Sequence, residues 1–399
     1  MSSKRSDRLK TNLVHAGRDP HNNHGVVNPP VYHASTILQP SLDKFEAARK
    51  PDWSGYRYGR SGTPTSRYFE DGIASIYGGA GAVSVSSGLA AITNAILACV
   101  KAGDHILMTD NVYGPARRFC DEILTKFNIE TTYYDPLIGS KIKELIKPNT
   151  VLIYTESPGS QTFEMSDIPA IAKEAQAKEI TVIMDNTWAS AMYFNAFEKG
   201  VDIVVEAVTK YICGHSDVMM GVIVSKCPDW EQKTRSTARN YGNASGPDDL
   251  YLAQRGLRTM AVRMEENQRN GLDLANWLKD RPEVKRVLHP GLETDPGHDI
   301  WKRDFTGASG LLFSFVLKDG YSRAALAAML DGLNLYGMGA SWGGFESLIV
   351  PANPADNRTA TKWEESGQLL RVHAGLEDIE DLIDDLGAGL DRLTEINSL

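Results

Sequence analysis

From about residue 80 onward, short apolar runs alternate with helical segments, and this rhythm restricts the fold more than any other feature of the chain. "AVSVSS", "HILMTD", "TTYYD", "VLIYTES", "TVIMDN", "DIVVEAVT" and "GVIVSK" read as strands. Between them, "GLAAITNAILACV" reads as a helix with Leu89, Ile92, Ile96 and Val100 on one face. "GPARRFCDEILTKF" reads as a helix opened by Pro115, and a further helix begins at Ser166 or Asp167 with Pro169 early in it. Strands that are apolar throughout and linked by helices require a mostly parallel sheet covered on both faces. The expected fold class is α/β.

The flanks differ from this centre. Residues 1–60 carry many turn formers, among them Pro29, Pro30, Pro40 and Pro51, with one short helix near 41–49. They read as an extended arm without its own core, and a partner subunit is what such an arm lies against. The α/β domain is expected over 61–256. A long helical stretch near 247–279 then changes the pattern. Strand-like "VKRVLHP", "GLLFSFVL", "SLIVP" and "LLRVHAG" follow with helices between and after them, which reads as a smaller α+β domain over 257–399. A chain of 399 residues suffices for two such cores.

Composition removes several functions. The net charge is −9 and the basic residues are scattered, unlike the clustered face of a nucleic-acid binder. No apolar run approaches the ~20 residues needed to cross a bilayer. "MSSKRSDRLKTNLVHAGRD" lacks the apolar core of a secretory signal. Cys99, Cys120, Cys213 and Cys227 stand singly, as expected of reduced cytoplasmic thiols. His21 and His24 in "HNNH" read as polar loop, and no metal site is expected.

Open parallel sheets bind ligands at the carboxyl ends of their strands. Asp185 closes "TVIMD", Lys210 closes "DIVVEAVT", and Ser86–Gly88 close "AVSV". Asp185 and Lys210 lie 25 positions apart, one strand–crossover–strand unit, so both should emerge on one sheet edge. Pyridoxal 5'-phosphate needs an amine for its aldehyde, a carboxylate for its ring nitrogen, an anion cradle and a flat surface. Lys210 offers the amine and Asp185 the carboxylate. The helix start at Gly88 offers free N–H groups for a phosphate, with Ser86, Ser87 and Thr209 as hydroxyl donors. Tyr113 comes from the same edge and can stack. Each has a plainer reading: a solvated lysine at a strand end, a turn-forming aspartate, an ordinary Ser N-cap, a Tyr-Gly-Pro turn. Their convergence on one edge favours the cofactor.

A dinucleotide site is the competitor. "GGAGA" at 78–82 precedes its strand, whereas a pyrophosphate-cradling turn must follow one. Arg371 stands inside "QLLRVHAG", where burying an unpaired guanidinium would cost several kcal/mol. Its planar fork suits either a substrate's α-carboxylate or a salt bridge within its own domain.

Taken together, "YRYGRSGTPT", "SSGLAA", "VYG", "ESPGS", "DNTWAS", "TKYICGHSD", "SWGGFESL" and "RVHAGLED" resemble the transsulfuration enzymes of cysteine and methionine metabolism. The resemblance runs from about residue 10 to the C-terminus. It implies the fold of aspartate aminotransferase (PLP-dependent fold type I), pyridoxal 5'-phosphate as cofactor, and a homotetramer with active sites shared between subunits. Trp342, "ESPGS" and "GRSGTPT" look like the bacterial branch that cleaves L-cystathionine by β-elimination to homocysteine, pyruvate and ammonia. A broader cysteine-conjugate β-lyase or a γ-lyase is the alternative. The resemblance makes Lys210 the residue that bonds the cofactor aldehyde and moves protons, helped by Tyr113, which also stacks on the ring. It pairs Asp185 with the ring nitrogen. Gly88, Leu89 and Thr209 would hold the phosphate, with Tyr58 and Arg60 reaching it from a neighbouring subunit. Arg371 and Ser341 would hold the substrate, with Trp342 and Tyr113 lining its pocket. Many relatives carry Ser or Thr where this chain has Ala207, which leaves one phosphate donor fewer.

Overall fold

The computed structural model describes residues 8–50, 53–307 and 312–397. Pro51 of the arm, and Gly310 and Leu311 at the head of "GLLFSFVL", lie outside them. The strands of the first sheet are β1 (Gly81–Val85), β2 (His105–Thr109), β3 (Glu130–Tyr134), β4 (Thr150–Glu156), β5 (Thr181–Asp185), β6 (Ile203–Glu206) and β7 (Gly221–Ser225). They lie in the order β1-β7-β6-β5-β4-β2-β3. Only β7 runs against its neighbours, so the other six strands point their carboxyl ends to one edge.

Side chains alternate between two apolar layers, as a sheet covered on both faces demands. On β5, Val182 and Met184 enter one layer and Ile183 the other; on β6, Val204 opposes Ile203 and Val205. All of these are buried.

A second sheet follows, with β8 (Val284–Leu288), β9 (Leu312–Leu317), β10 (Leu348–Ala352) and β11 (Leu369–His373) in the antiparallel order β10-β11-β9-β8. Phe313, Phe315, Leu370 and Val372 pack against Leu274 and Leu278 of the helix Met260–Lys279. Leu382, Leu386 and Leu390 of the helix Ile379–Asn397 join that core. No helix among the described residues is long and apolar enough to cross a membrane.

Four expectations need correction. The arm carries a second helix, Leu9–His15, whose Leu13 is buried in this chain's own large core. The helix expected over "GPARRFCDEILTKF" breaks into Gly114–Arg118, a wider π-turn over Phe119–Ile123 and a tight 3₁₀ turn over Leu124–Phe127. There Leu124 N–H bonds the Phe119 carbonyl, five residues back. The stretch near 247–279 is two helices, Pro247–Leu257 and Met260–Lys279, interrupted at Arg258 and Thr259. Leu89 is exposed at the head of its helix, while Ile92 and Ile96 are buried.

Candidate active site

Lys210 does not end a strand as the sequence suggested. β6 stops at Glu206, and a turn carries the lysine round: Lys210 N–H bonds the Ala207 carbonyl at 3.0 Å, and Gly214 N–H bonds that of Lys210 at 2.7 Å. The turn swings the side chain off the sheet axis and towards the second sheet. Gly343 packs directly against it. At φ +82°, a Cβ there would lie 3.1 Å from both Cα and Cβ of Lys210, so the approach requires glycine. The Lys210 amine donates to Ser341 Oγ at 2.5 Å and lies 5.2 Å from the Trp342 ring centroid. Tyr211 meets Trp342 edge-on at 5.3 Å. Burial, reinforced by the charge of Arg371, pushes the Lys210 pKa down to about 8, against the pull of Asp185. An ordinary lysine titrates near 10.4, so the neutral share of this amine at pH 7, about a tenth, is more than a hundredfold that of an exposed lysine.

Asp185 ends β5 beside Glu156, its register partner on β4. Burial and the neighbouring Asp185 push Glu156 up to about 8. Burial also raises Asp185, but Thr187 resists it by donating its N–H at 3.0 Å and its hydroxyl at 2.5 Å to Asp185 Oδ1. Two adjacent carboxyls in one low-dielectric site divide their protons unequally. Here burial raises both carboxyls, and the two Thr187 bonds and the charge of Lys210 pull Asp185 back down. Glu156 meanwhile accepts the Tyr113 N–H at 2.8 Å and the Ser160 hydroxyl at 2.7 Å. Thr187 also accepts the Ala207 N–H at 2.9 Å, which ties the aspartate to the turn bearing the lysine.

Ser87 caps the helix Gly88–Cys99 through Ala90 N–H at 3.0 Å. The first-turn N–H groups of Gly88 and Leu89 then have no intrahelical acceptor. A Cβ on Gly88 would lie 2.7 Å from that of Ala207, so glycine permits the helix start to abut the lysine turn. Thr209 commits its hydroxyl to the Met220 carbonyl at 3.1 Å and accepts Met220 N–H at 3.0 Å. Ser86 bonds Asn243 Oδ1 at 3.0 Å. The groups left open at this helix start are thus backbone N–H groups more than hydroxyls.

Tyr113 is 44 % exposed at the mouth. Burial, Asp185 and Glu156 raise its pKa, with Arg118 and Arg371 opposing, and the phenol keeps its proton. Arg371 lies on β11, and its Nη2 donates to the Ser341 carbonyl at 3.2 Å. No carboxylate of the described residues pairs with it, so the salt bridge within its own domain is absent. Tyr58 and Arg60 are exposed, and Arg60 donates to the Arg239 carbonyl at 2.8 Å. With Arg239 and Asn243, Arg60 lines a separate cavity of about 350 Å³ that Lys210 does not reach. No group of three or more His, Cys, Asp or Glu among the described residues is placed to hold a metal ion.

Thr187, Glu156 and Glu206 escaped the sequence reading. The first two stand inside "DNTWAS" and "ESPGS". Glu206 carried its own signal, a carboxylate within an apolar strand. It is buried at 1 % exposure and receives the Tyr77 hydroxyl on Oε2. Burial pushes it up to about 8.

A depressed amine, a half-buried carboxylate near it, free N–H groups at a helix start and an exposed aromatic ring fit pyridoxal 5'-phosphate. The comparisons agree. The family model described as Cys/Met metabolism PLP-dependent enzyme matches residues 10–391. Cystathionine β-lyase of Salmonella typhimurium is 44% identical over 391 residues, covering 96% of this chain and 98% of that protein. Cystathionine β-lyase of Escherichia coli is 43% identical over 392 residues, covering 97% and 99%. The solved structure of cystathionine γ-synthase from Xanthomonas oryzae pv. oryzae superposes with a TM-score of 0.89 at 31% identity, covering 98% and 99%. Fold and site together define a fold-type-I enzyme that uses pyridoxal 5'-phosphate. The chain belongs to the Cys/Met metabolism family of such enzymes.

Proposed function

We propose that this chain is a carbon–sulfur lyase that cleaves L-cystathionine at Cβ, releasing L-homocysteine, pyruvate and ammonia with uptake of one water. One observation carries the reading: a single residue, Ser341, engages both the Lys210 amine and the Arg371 guanidinium. Arg371, free of carboxylates, takes the substrate's α-carboxylate. That sets the Cα proton before Lys210.

When bound, the cofactor supplies an electron-withdrawing ring that accepts the electron pair left when the Cα proton departs. Lys210 would tether it, Asp185 would hold its ring nitrogen protonated, and Gly88 and Leu89 would bind its phosphate. Thr209 can add a bond only by releasing the Met220 carbonyl. The chain's residues do the rest. Lys210, largely desolvated and near pKa 8, takes the proton from Cα and can return one to the leaving sulfur. Tyr113, a protonated phenol at the mouth, stacks on the ring and can assist that transfer. Trp342 walls the pocket and keeps water from the amine.

The arm supports an assembly. Leu38 is 87 % exposed, and Leu42 and Phe45 stand beside it in sequence with more than half their surface in water. Apolar side chains grouped this way mark a surface that another chain covers. In a homotetramer, Tyr58 and Arg60 would then reach the phosphate bound by a neighbouring subunit. The four free thiols fit a cytoplasmic location.

Incubation with L-cystathionine tests the reading. Pyruvate with homocysteine is the expected outcome. Accumulation of 2-oxobutyrate with cysteine would instead make the chain a γ-lyase.

A further inference from the structure

The segment between β10 and β11 leaves the small sheet, crosses to the large one and returns. Three successive N–H groups of this strap, those of Thr359, Ala360 and Thr361, converge on the Asp110 carboxylate at 3.0, 3.0 and 2.8 Å. The Thr361 hydroxyl adds a fourth bond at 2.9 Å. Arg117 closes the cluster with an ion pair at 2.5 Å to the same carboxylate, its guanidinium lying 3.5 Å from the Tyr133 ring centroid. Asp110 is 1 % exposed. One residue before this nest, Arg358 forks onto Glu164 at 2.8 and 2.7 Å with only 5 % of its side chain in water. Two buried charge clusters thus fasten a loop of the small sheet to the edge of the large one.

Both ends of the fastening lead to the active site. Asp110 stands three residues before Tyr113. Asn111, between them, donates to Glu164 Oε2 at 3.1 Å, and its carbonyl accepts Ser160 N–H at 2.9 Å. Ser160 and Tyr113 both hold Glu156, the neighbour of Asp185. At the other end the strap begins where β10 stops, and β10 pairs Val350 with Arg371 on β11. The route from strap to Tyr113 is therefore a few hydrogen bonds long, and the route to Arg371 is one strand pairing.

Resting on the proposed function above, we infer that the strap sets the spacing between Tyr113 and Arg371, and that Asp110 and Arg358 are positioning residues for the amino-acid substrate. Neither side chain reaches Lys210. Their effect is geometric. A misplacement of about 1 Å at a binding group costs up to on the order of a hundredfold, and at a group that holds the substrate's carboxylate the loss falls on KM and hence on kcat/KM. Loosening the strap leaves the Lys210–Ser341 pair in place but lets the carboxylate clamp drift from the ring face.

The experiment compares R358Q, R358K and D110N with wild-type holoenzyme. R358Q and D110N are expected to raise the KM for L-cystathionine about tenfold or more while kcat stays within about threefold. R358K, which keeps the charge but loses the fork, should fall between R358Q and wild type. Hydrogen exchange adds a readout that needs no turnover: peptides over 110–116 and 359–361 should both exchange faster in R358Q. An unchanged KM, or faster exchange confined to 359–361, would overturn the inference. If R358Q does not fold, R358K and D110N carry the same comparison. Should wild type fail to cleave L-cystathionine, the proposed function falls, and exchange at 110–116 alone decides this inference.

Discussion

Lys210 and Ser341 meet at 2.5 Å across the gap between the two sheets, and the carbonyl of the same serine accepts Arg371 at 3.2 Å. Ser341 has φ +95°, a region that residues with a Cβ rarely occupy. Such backbone costs of order 1–3 kcal/mol and clusters where geometry serves a site. Here it aims hydroxyl and carbonyl at two different cations.

Two substitutions separate these roles. S341A removes the hydroxyl but keeps the strain, and kcat for cystathionine cleavage should fall by about 10- to 100-fold, the value of a hydrogen bond to a charged group. S341G should lose the same activity yet melt at a higher temperature than S341A, because glycine tolerates the conformation. Equal melting temperatures would contradict the strain.

The pKa of Lys210 predicts how the apoprotein captures its cofactor. Only the neutral amine attacks an aldehyde, so the recombination rate with pyridoxal 5'-phosphate should climb with pH and level off above about 8. Stopped-flow absorbance from pH 6 to 10 measures it. A rate still rising towards pH 10 would mean an ordinary lysine.

R371L acts twice. It removes the proposed receiver of the substrate's carboxylate, so KM should rise by about tenfold or more. It also removes a charge that holds the amine pKa down, so the midpoint of the recombination profile should move upward. A raised KM with an unmoved midpoint would place Arg371 farther from Lys210 than the geometry requires.

Glu206 predicts a stability profile. Its folded pKa, about 8, lies above the ordinary 4.5, so the native state holds a proton that the unfolded state has already lost at neutral pH. Stability is then full below about pH 4.5 and declines as pH rises towards 8. E206Q mimics the protonated form. It should match wild type near pH 5 and melt several degrees higher at pH 8, as calorimetry on the apoprotein would record. Parallel curves would mean that Glu206 is ionised in the fold.

Of this site, the sequence disclosed what a local rule can reach. The strand ends of the large sheet were legible because apolar runs and their polar stops are local, and they put Asp185 and the Gly88 helix start on one edge. Lys210 was singled out as a strand end, but it follows a turn that nothing in "EAVTK" announces, since its backbone bonds go to Ala207 and Gly214. Arg371 was conspicuous as a cation in an apolar strand, and Glu206 carried the mirror-image signal unread. Ser341 and Trp342 came only through resemblance, because their roles depend on two sheets meeting. Asp110 and Arg358 left no trace, being 248 positions apart and joined only in space.

The closeness of Gly343 to Lys210 bears on the order of assembly. The lysine turn is held by residues as far along as Arg263, whose Nη2 donates to the Tyr211 carbonyl at 2.8 Å, but the serine, tryptophan and arginine that complete its surroundings belong to the last sixty. On the ribosome, N-terminal parts fold first. The lysine is therefore synthesised well before the Arg371 charge that helps to depress its pKa, and the amine acquires its final character only with the C-terminal sheet.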